Sequence, residues 1–163
     1  TYYEIKKDVP KNDYDLENNL INENGFLTYK ESKRESVKGV DLSKYNGTVD
    51  FTKLKDAGVG FAMLRLASRG YGSGKISLDE KFVECDTVKG YGYKPVIYAS
   101  SEMLVGGLDL EELLDYDVWL ADEKIPTDYP YRFGMWQYNT KGHIDGITGD
   151  IDLDISFIDY ERK

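Results

Sequence analysis

Residues 77–98 read SLDEKFVECDTVKGYGYKPVIY. The spacing predicts one helix followed by one strand. Ser77 and Glu80 stand in the S-x-x-E arrangement of a capping box. Phe82, Cys85 and Val88 recur every three residues and form one apolar stripe. Gly90 and Gly92 supply the stop, and Pro95 cannot lie inside the helix. Pro-Val-Ile-Tyr-Ala-Ser, 95–100, then reads as a short apolar strand. This helix is either one natural element or two half-helices joined. The choice decides the fold, because a chain that loses βα units also loses what their strand ends carried.

Outward from this stretch, short apolar strands alternate with helices from Gly39 onward. GVDLS (39–43), FAMLRLAS (61–68), PVIYAS (95–100), VWLAD (118–122), FGMWQYN (133–139) and DIDLDIS (150–156) give six strands. DFTKLKDAGVG (50–60) reads as a helix with Phe51, Leu54 and Ala57 on one face. SSEMLVGG offers a short helix with a Ser cap, and LDLEELLDY one capped by Asp109. Strands separated by helices point to an α/β fold with parallel pairs, covered on both faces. An eight-unit barrel takes about 250 residues, roughly 30 per unit. The stretch from Gly39 to Lys163 holds six strands and not eight complete units. Residues 1–37 are polar and charged, and read as an N-terminal extension or linker packing loosely on a main domain of residues 38–163. Asn-Glu-Asn-Gly before Phe-Leu-Thr-Tyr suggests one hairpin within it.

Composition narrows the function classes. A net charge of −9 and a pI near 4.7 argue against nucleic acid as a partner. No run approaches the roughly 20 apolar residues of a membrane span. No signal peptide is visible, and the start at Thr1 rather than Met suits a processed N-terminus. The single Cys85 forbids an internal disulfide and reads as a small buried hydrophobe. His143 sits in a polar turn, so one His and one Cys argue against a zinc site. No metal and no cofactor are expected.

In parallel α/β folds the chemistry lies at the carboxyl ends of strands. Those ends carry Asp41 with Tyr45, Arg65, Tyr98, Trp119, then Trp136 with Gln137, then Asp152 and Asp154. Asp122 and Glu123 follow VWLA. Carboxylates, aromatic rings and amides make up a carbohydrate site: rings stack on sugars, and carboxylates protonate a leaving oxygen or support an oxocarbenium-like centre. Each element has a plainer reading. Asp150, Asp152 and Asp154 alternate as one solvated strand face would, Asp41 is also a plausible loop-edge charge, and the two Trp residues suit a core as well as a platform. RGYGSGK lacks P-loop spacing and reads as a mobile turn.

Together, GVDLSKYNG, FAMLRLASRGYGSGK, GYKPVIYAS, YDVWLAD, FGMWQYNTKGHIDGI and GDIDLDISF occur in an order that resembles glycoside hydrolase family 25, the muramidase lysozymes of bacteria, phages and fungi. The resemblance covers most of residues 38–160. It implies a shortened, distorted TIM-like β/α barrel acting on the bond between N-acetylmuramic acid and N-acetylglucosamine in peptidoglycan. It implies Asp41 and Asp152 as catalytic acids. Tyr45, Arg65, Tyr98, Trp119, Trp136, Gln137 and Asp154 would contact substrate, Asp154 standing where the family often has Asn. In the family, two further strands precede the GYKPxIYAS-like strand, and the second carries an Asp-x-Glu pair whose Glu is regarded as the acid catalyst. Here LDEKF resembles the start of one family helix and FVECDTVKGYGYKP the end of a later one. The join removes about two βα units and the donor with them; Glu80, Asp122 or Glu123 would have to substitute, and their spacing does not single one out. Three readings follow: a cell-wall glycan hydrolase, an inactive wall-glycan binding module, or a structural protein dimerising through open barrel edges. The substrate places the protein outside the cell or on the wall, of bacterial or phage origin.

Overall fold

The computed structural model describes residues 5–42, 46–64, 67–69, 76–78 and 96–158. In chain order the elements begin with a one-turn helix α1 (Leu16–Asn19), whose first turn is capped by Asp15 accepting from Asn18 N. Strands β1 (Leu20–Glu23), β2 (Phe26–Glu31) and β3 (Arg34–Glu35) form a small antiparallel sheet. Asn24 and Gly25 between the first two both have positive φ, 55° and 87°, as a two-residue hairpin turn of type I′ requires.

The main sheet begins with β4 (Val37–Leu42). Helix α2 (Phe51–Asp56) follows, its N-terminus capped by Asp50, which accepts from Thr52 N and Lys53 N. Gly58 ends it at φ +80°, where a side chain would be strained. Leu54 is buried as its spacing predicts, but Phe51 is exposed, because the core meets only one turn of so short a helix. Next come β5 (Phe61–Leu64), β6 (Ala67–Arg69), β7 (Ile76–Leu78), β8 (Val96–Ser100), helix α3 (Ser101–Gly106), β9 (Asp117–Ala121), β10 (Met135–Gly142) and β11 (Ile151–Ser156). Ser100 caps α3, accepting from Met103 N.

Six strands pair in the order β5-β4-β11-β10-β9-β8. The pairs β4–β5, β8–β9 and β9–β10 are parallel, whereas β11 runs antiparallel to both its neighbours. The reversal follows from the short link between β10 and β11, which has no room for a helical crossover. The result is a mixed, curled sheet: a shortened α/β barrel with few helices. Among the described residues β5 and β8 are its edges.

Three sequence expectations change. The strand expected over 61–68 is two pieces, because β6 leaves the main sheet and pairs antiparallel with β7. Ser77, expected to cap a helix, lies inside β7 opposite Ser68; the rest of that helix, with Glu80 and Cys85, lies outside the described residues. LDLEELLDY forms successive turns rather than a helix: Glu112 N, Leu113 N and Tyr116 N bond three residues back, and Asp109 accepts from Glu111 N.

Register assigns the two faces of the sheet, since side chains alternate with period two. One face carries Val40, Leu120, Trp136, Leu153 and Ile155, all buried in one apolar cluster. This core face is covered from the N-terminal side. Leu27 and Tyr29 of β2 are fully buried in the same cluster, and Leu27 N donates to Tyr138 Oη at 3.1 Å. Tyr14 stacks on Phe157 with ring centroids 4.1 Å apart. The residues before Val37 thus pack tightly rather than loosely. Their anchors are few, but each is placed under the sheet.

Candidate functional site

The opposite face of the sheet gathers the polar residues. Asp41 of β4 pairs in register with Asp152 of β11, and side chains so opposed have Cβ atoms about 4.5–5.5 Å apart. Two residues along β11, Asp154 pairs with Gly39 on one side and Gln137 on the other. Met135 pairs with Trp119, and Trp119 with Tyr98. One face therefore holds Asp41, Asp152, Asp154, Gln137, Trp119 and Tyr98. Gly39 belongs to the same face for a steric reason: a Cβ there would meet the Phe61 ring at 2.1 Å.

Hydrogen bonds tie these groups into two short chains. Tyr98 Oη donates to Gln137 Oε1 at 2.7 Å, and Gln137 Nε2 donates to Asp152 Oδ2 at 3.3 Å. Trp119 Nε1 donates to Asp154 Oδ1 at 2.8 Å. The Tyr98 and Trp119 rings lie 4.7 Å apart at 60°. Exposure grades across the site. Tyr98 is 51% exposed, Asp41 only 9%, and Asp154 0%. A ring is thus offered to solvent above acids that are progressively withdrawn from it.

The electrostatics follow this gradient. Burial pushes the Asp154 carboxyl up to about 8, opposed by the Trp119 hydrogen bond and reinforced by the negative charges of Asp41 and Asp152. Burial also raises the Tyr98 phenol, with the same three acids adding to it. Glu123 behaves oppositely. Its Oε1 accepts from Thr140 Oγ1 at 2.6 Å and from Thr140 N at 3.1 Å, which lowers its pKa. Such a group stays ionised and is poorly suited to donate a proton. Asp122 is tied down as well, its Oδ2 accepting from Thr127 Oγ1 and its Oδ1 from Lys124 N.

Trp136 is not brought to this site. It lies on the core face, fully buried, with Nε1 donating to the carbonyl of Asp122. Tyr45 and Arg65 lie outside the described residues. Met135 and Ser156 share the site face and were passed over in the sequence, although period-two alternation from Gln137 and Asp154 would have found them. Among the described residues no group of three or more His, Cys, Asp or Glu is arranged to hold a metal ion, and no helix is long and apolar enough to cross a membrane.

No family model matches the chain, and no curated protein matches it. Solved structures do. The modular autolysin LytC of Streptococcus pneumoniae superposes with a TM-score of 0.57 at 15% identity, over 84% of this chain and 52% of that one. The bacterial lysozyme of Streptomyces coelicolor gives 0.55 at 14% identity, over 77% and 94%. A family 25 glycosyl hydrolase of Bacillus anthracis gives 0.51 at 16% identity, over 82% and 94%. The chain shares their fold. The relationship is distant, and the chain spans about half the length of the pneumococcal autolysin.

Proposed function

We propose that this domain acts on the glycan strands of peptidoglycan, cleaving the bond between N-acetylmuramic acid and N-acetylglucosamine. The observation that carries the reading is the register pairing of Asp41 with Asp152 on the same sheet face as the exposed Tyr98 ring. Glycoside hydrolysis needs acid groups flanking the scissile bond and a surface that seats the sugar. Asp152, oriented by Gln137, and Asp41 fill the first role. Tyr98 fills the second, its ring stacking on a pyranose face. Structures of this fold include an autolysin complex with a synthetic peptidoglycan ligand, at a TM-score of 0.55 and 14% identity. On this reading the protein works where peptidoglycan is, outside the cell membrane.

The internal shortening belongs to the same proposal. Among the described residues the edges of the sheet are β5 and β8, the two strands between which the resemblance expects two more βα units and the donor Glu. That observation favours a second reading, a domain that binds wall glycan without cutting it. Neither the fold nor the similar structures support a dimer through those edges.

The deciding experiment measures new reducing ends released from purified peptidoglycan, with Asp152→Asn run beside the unaltered protein. Release that falls at least about a hundredfold in the variant, in line with loss of an acid–base group, supports the hydrolase. Co-sedimentation with peptidoglycan and no release, from protein shown to be folded, replaces it with the binding module.

A further inference from the structure

Asp154 is the anomalous group of the site. It is fully buried, and its Oδ2 has no hydrogen-bond partner among the described residues. Its other oxygen is engaged by the Trp119 indole. Asp41 and Asp152, two further acids, share its face. An ionised carboxylate in that position would lack solvent, lack a counter-charge among the described residues, and add a third negative charge to the cluster. A carboxylic acid suits it: Oδ1 accepts the indole N–H, and a proton on Oδ2 leaves the buried group uncharged.

We propose that Asp154 is a positioning residue of the site that works as a neutral acid, anchoring Trp119 through Oδ1 and sparing the Asp41–Asp152 pair a third buried negative charge. Being fully buried, it does not touch a sugar. Among the described residues the titratable groups that act on it are Asp152 on its own strand and Asp41 on β4, and a charge on Asp154 would in turn raise the phenols of Tyr98 on β8 and Tyr138 on β10. Gln137 and Trp119, from β10 and β9, are neutral donors. The importance of the site to glycan cleavage rests on the function proposed above; the protonation of Asp154 does not.

The sign of the pH dependence is fixed by the direction of the shift. An acid held higher in the folded chain than in the unfolded one stabilises the fold fully below the ordinary carboxylate pKa, and that contribution is lost as pH rises through about 8. The experiment follows urea midpoints and Trp fluorescence of the full chain across this range, for the unaltered protein, Asp154→Asn and Asp154→Leu. The Asn side chain keeps an oxygen for Trp119 and a donor in place of the Oδ2–H. The unaltered midpoint is expected to fall from the ordinary carboxylate range up to about 8 and to level off above it, while Trp fluorescence of the folded chain changes at about 8. Asp154→Asn is expected to match the unaltered midpoint at the ordinary carboxylate pKa, to be no weaker than it in mild acid, and to lose both transitions. Asp154→Leu, lacking both polar groups, has a lower midpoint at every pH. A midpoint that does not fall with pH, together with an Asn variant already weaker in mild acid, overturns the proposal and makes Asp154 an ionised group. Reducing-end release measured on the same samples separates the two claims. If the pH results hold while no variant releases sugar ends, the hydrolase reading fails and the neutral acid stands.

Discussion

The two faces of the six-stranded sheet are built on opposite rules. The core face buries apolar side chains against the small N-terminal sheet, and its polar atoms are few and engaged: Trp136 Nε1 on the Asp122 carbonyl, Tyr138 Oη on Leu27 N. The site face buries acids. It sets three carboxyl groups on adjacent positions of two strands, and Asp154 Oδ2 has no hydrogen-bond partner among the described residues. Buried acids of this kind cost stability rather than supply it. The fold therefore depends on the core face to hold the site face in shape, and the two should respond differently to substitution.

The largest effect is expected from Trp136→Ala. This ring is fully buried between Phe133 and Tyr138, with centroids 6.3 and 6.1 Å away. Its removal should cost about 3–5 kcal/mol in denaturant unfolding. A loss below about 1 kcal/mol would mean that the core face does not carry the sheet. Leu27→Ala tests the same face from the other side. Leu27 is fully buried, although it belongs to the polar stretch before Val37. A cost of about 2–4 kcal/mol is expected. A variant as stable as the unaltered chain would return residues before Val37 to the status of a loosely attached extension.

These residues also show what was legible in the sequence. All six strands of the main sheet were, because each is a short apolar run bounded by turn residues. The cap of α3 was, because Ser100 acts within the first turn of its own helix. The burial of Leu27 and Tyr29 was not, since a few anchors in a charged segment look like a linker until the surface they meet is known. LDLEELLDY carried helix signals, yet of it only Leu110 is buried in the core cluster, with Leu108 packed against it, and propensity alone did not hold an α-helix there. Of the site, Asp41, Asp152, Asp154, Gln137, Trp119 and Tyr98 were each named from strand ends, and register brings them to one face. Trp136 could have been separated from Gln137 by alternation alone, since neighbours on a strand point to opposite faces. The depth of Asp154 could not be read: Asp150, Asp152 and Asp154 look equivalent in the sequence, but Asp150 is exposed and Asp154 sealed.

The smallest effect on stability, and the sharpest on the site, is expected from Tyr98→Phe. Tyr98 is the most exposed member of the site, so the fold loses little with its hydroxyl. What it loses is the donor to Gln137 Oε1, the first link of the chain that orients Asp152. One neutral hydrogen bond is worth about 0.5–1.5 kcal/mol, so unfolding should shift by less than about 1 kcal/mol while reducing-end release falls by up to roughly tenfold. The ring stays, so glycan binding should hold. A variant that binds and cleaves as before would show that Gln137 is held by its strand rather than by Tyr98. A variant that loses binding as well would assign the hydroxyl a direct contact with the sugar. Only the split, binding kept and turnover lowered, fits a site face whose outer residue works by aiming an inner one.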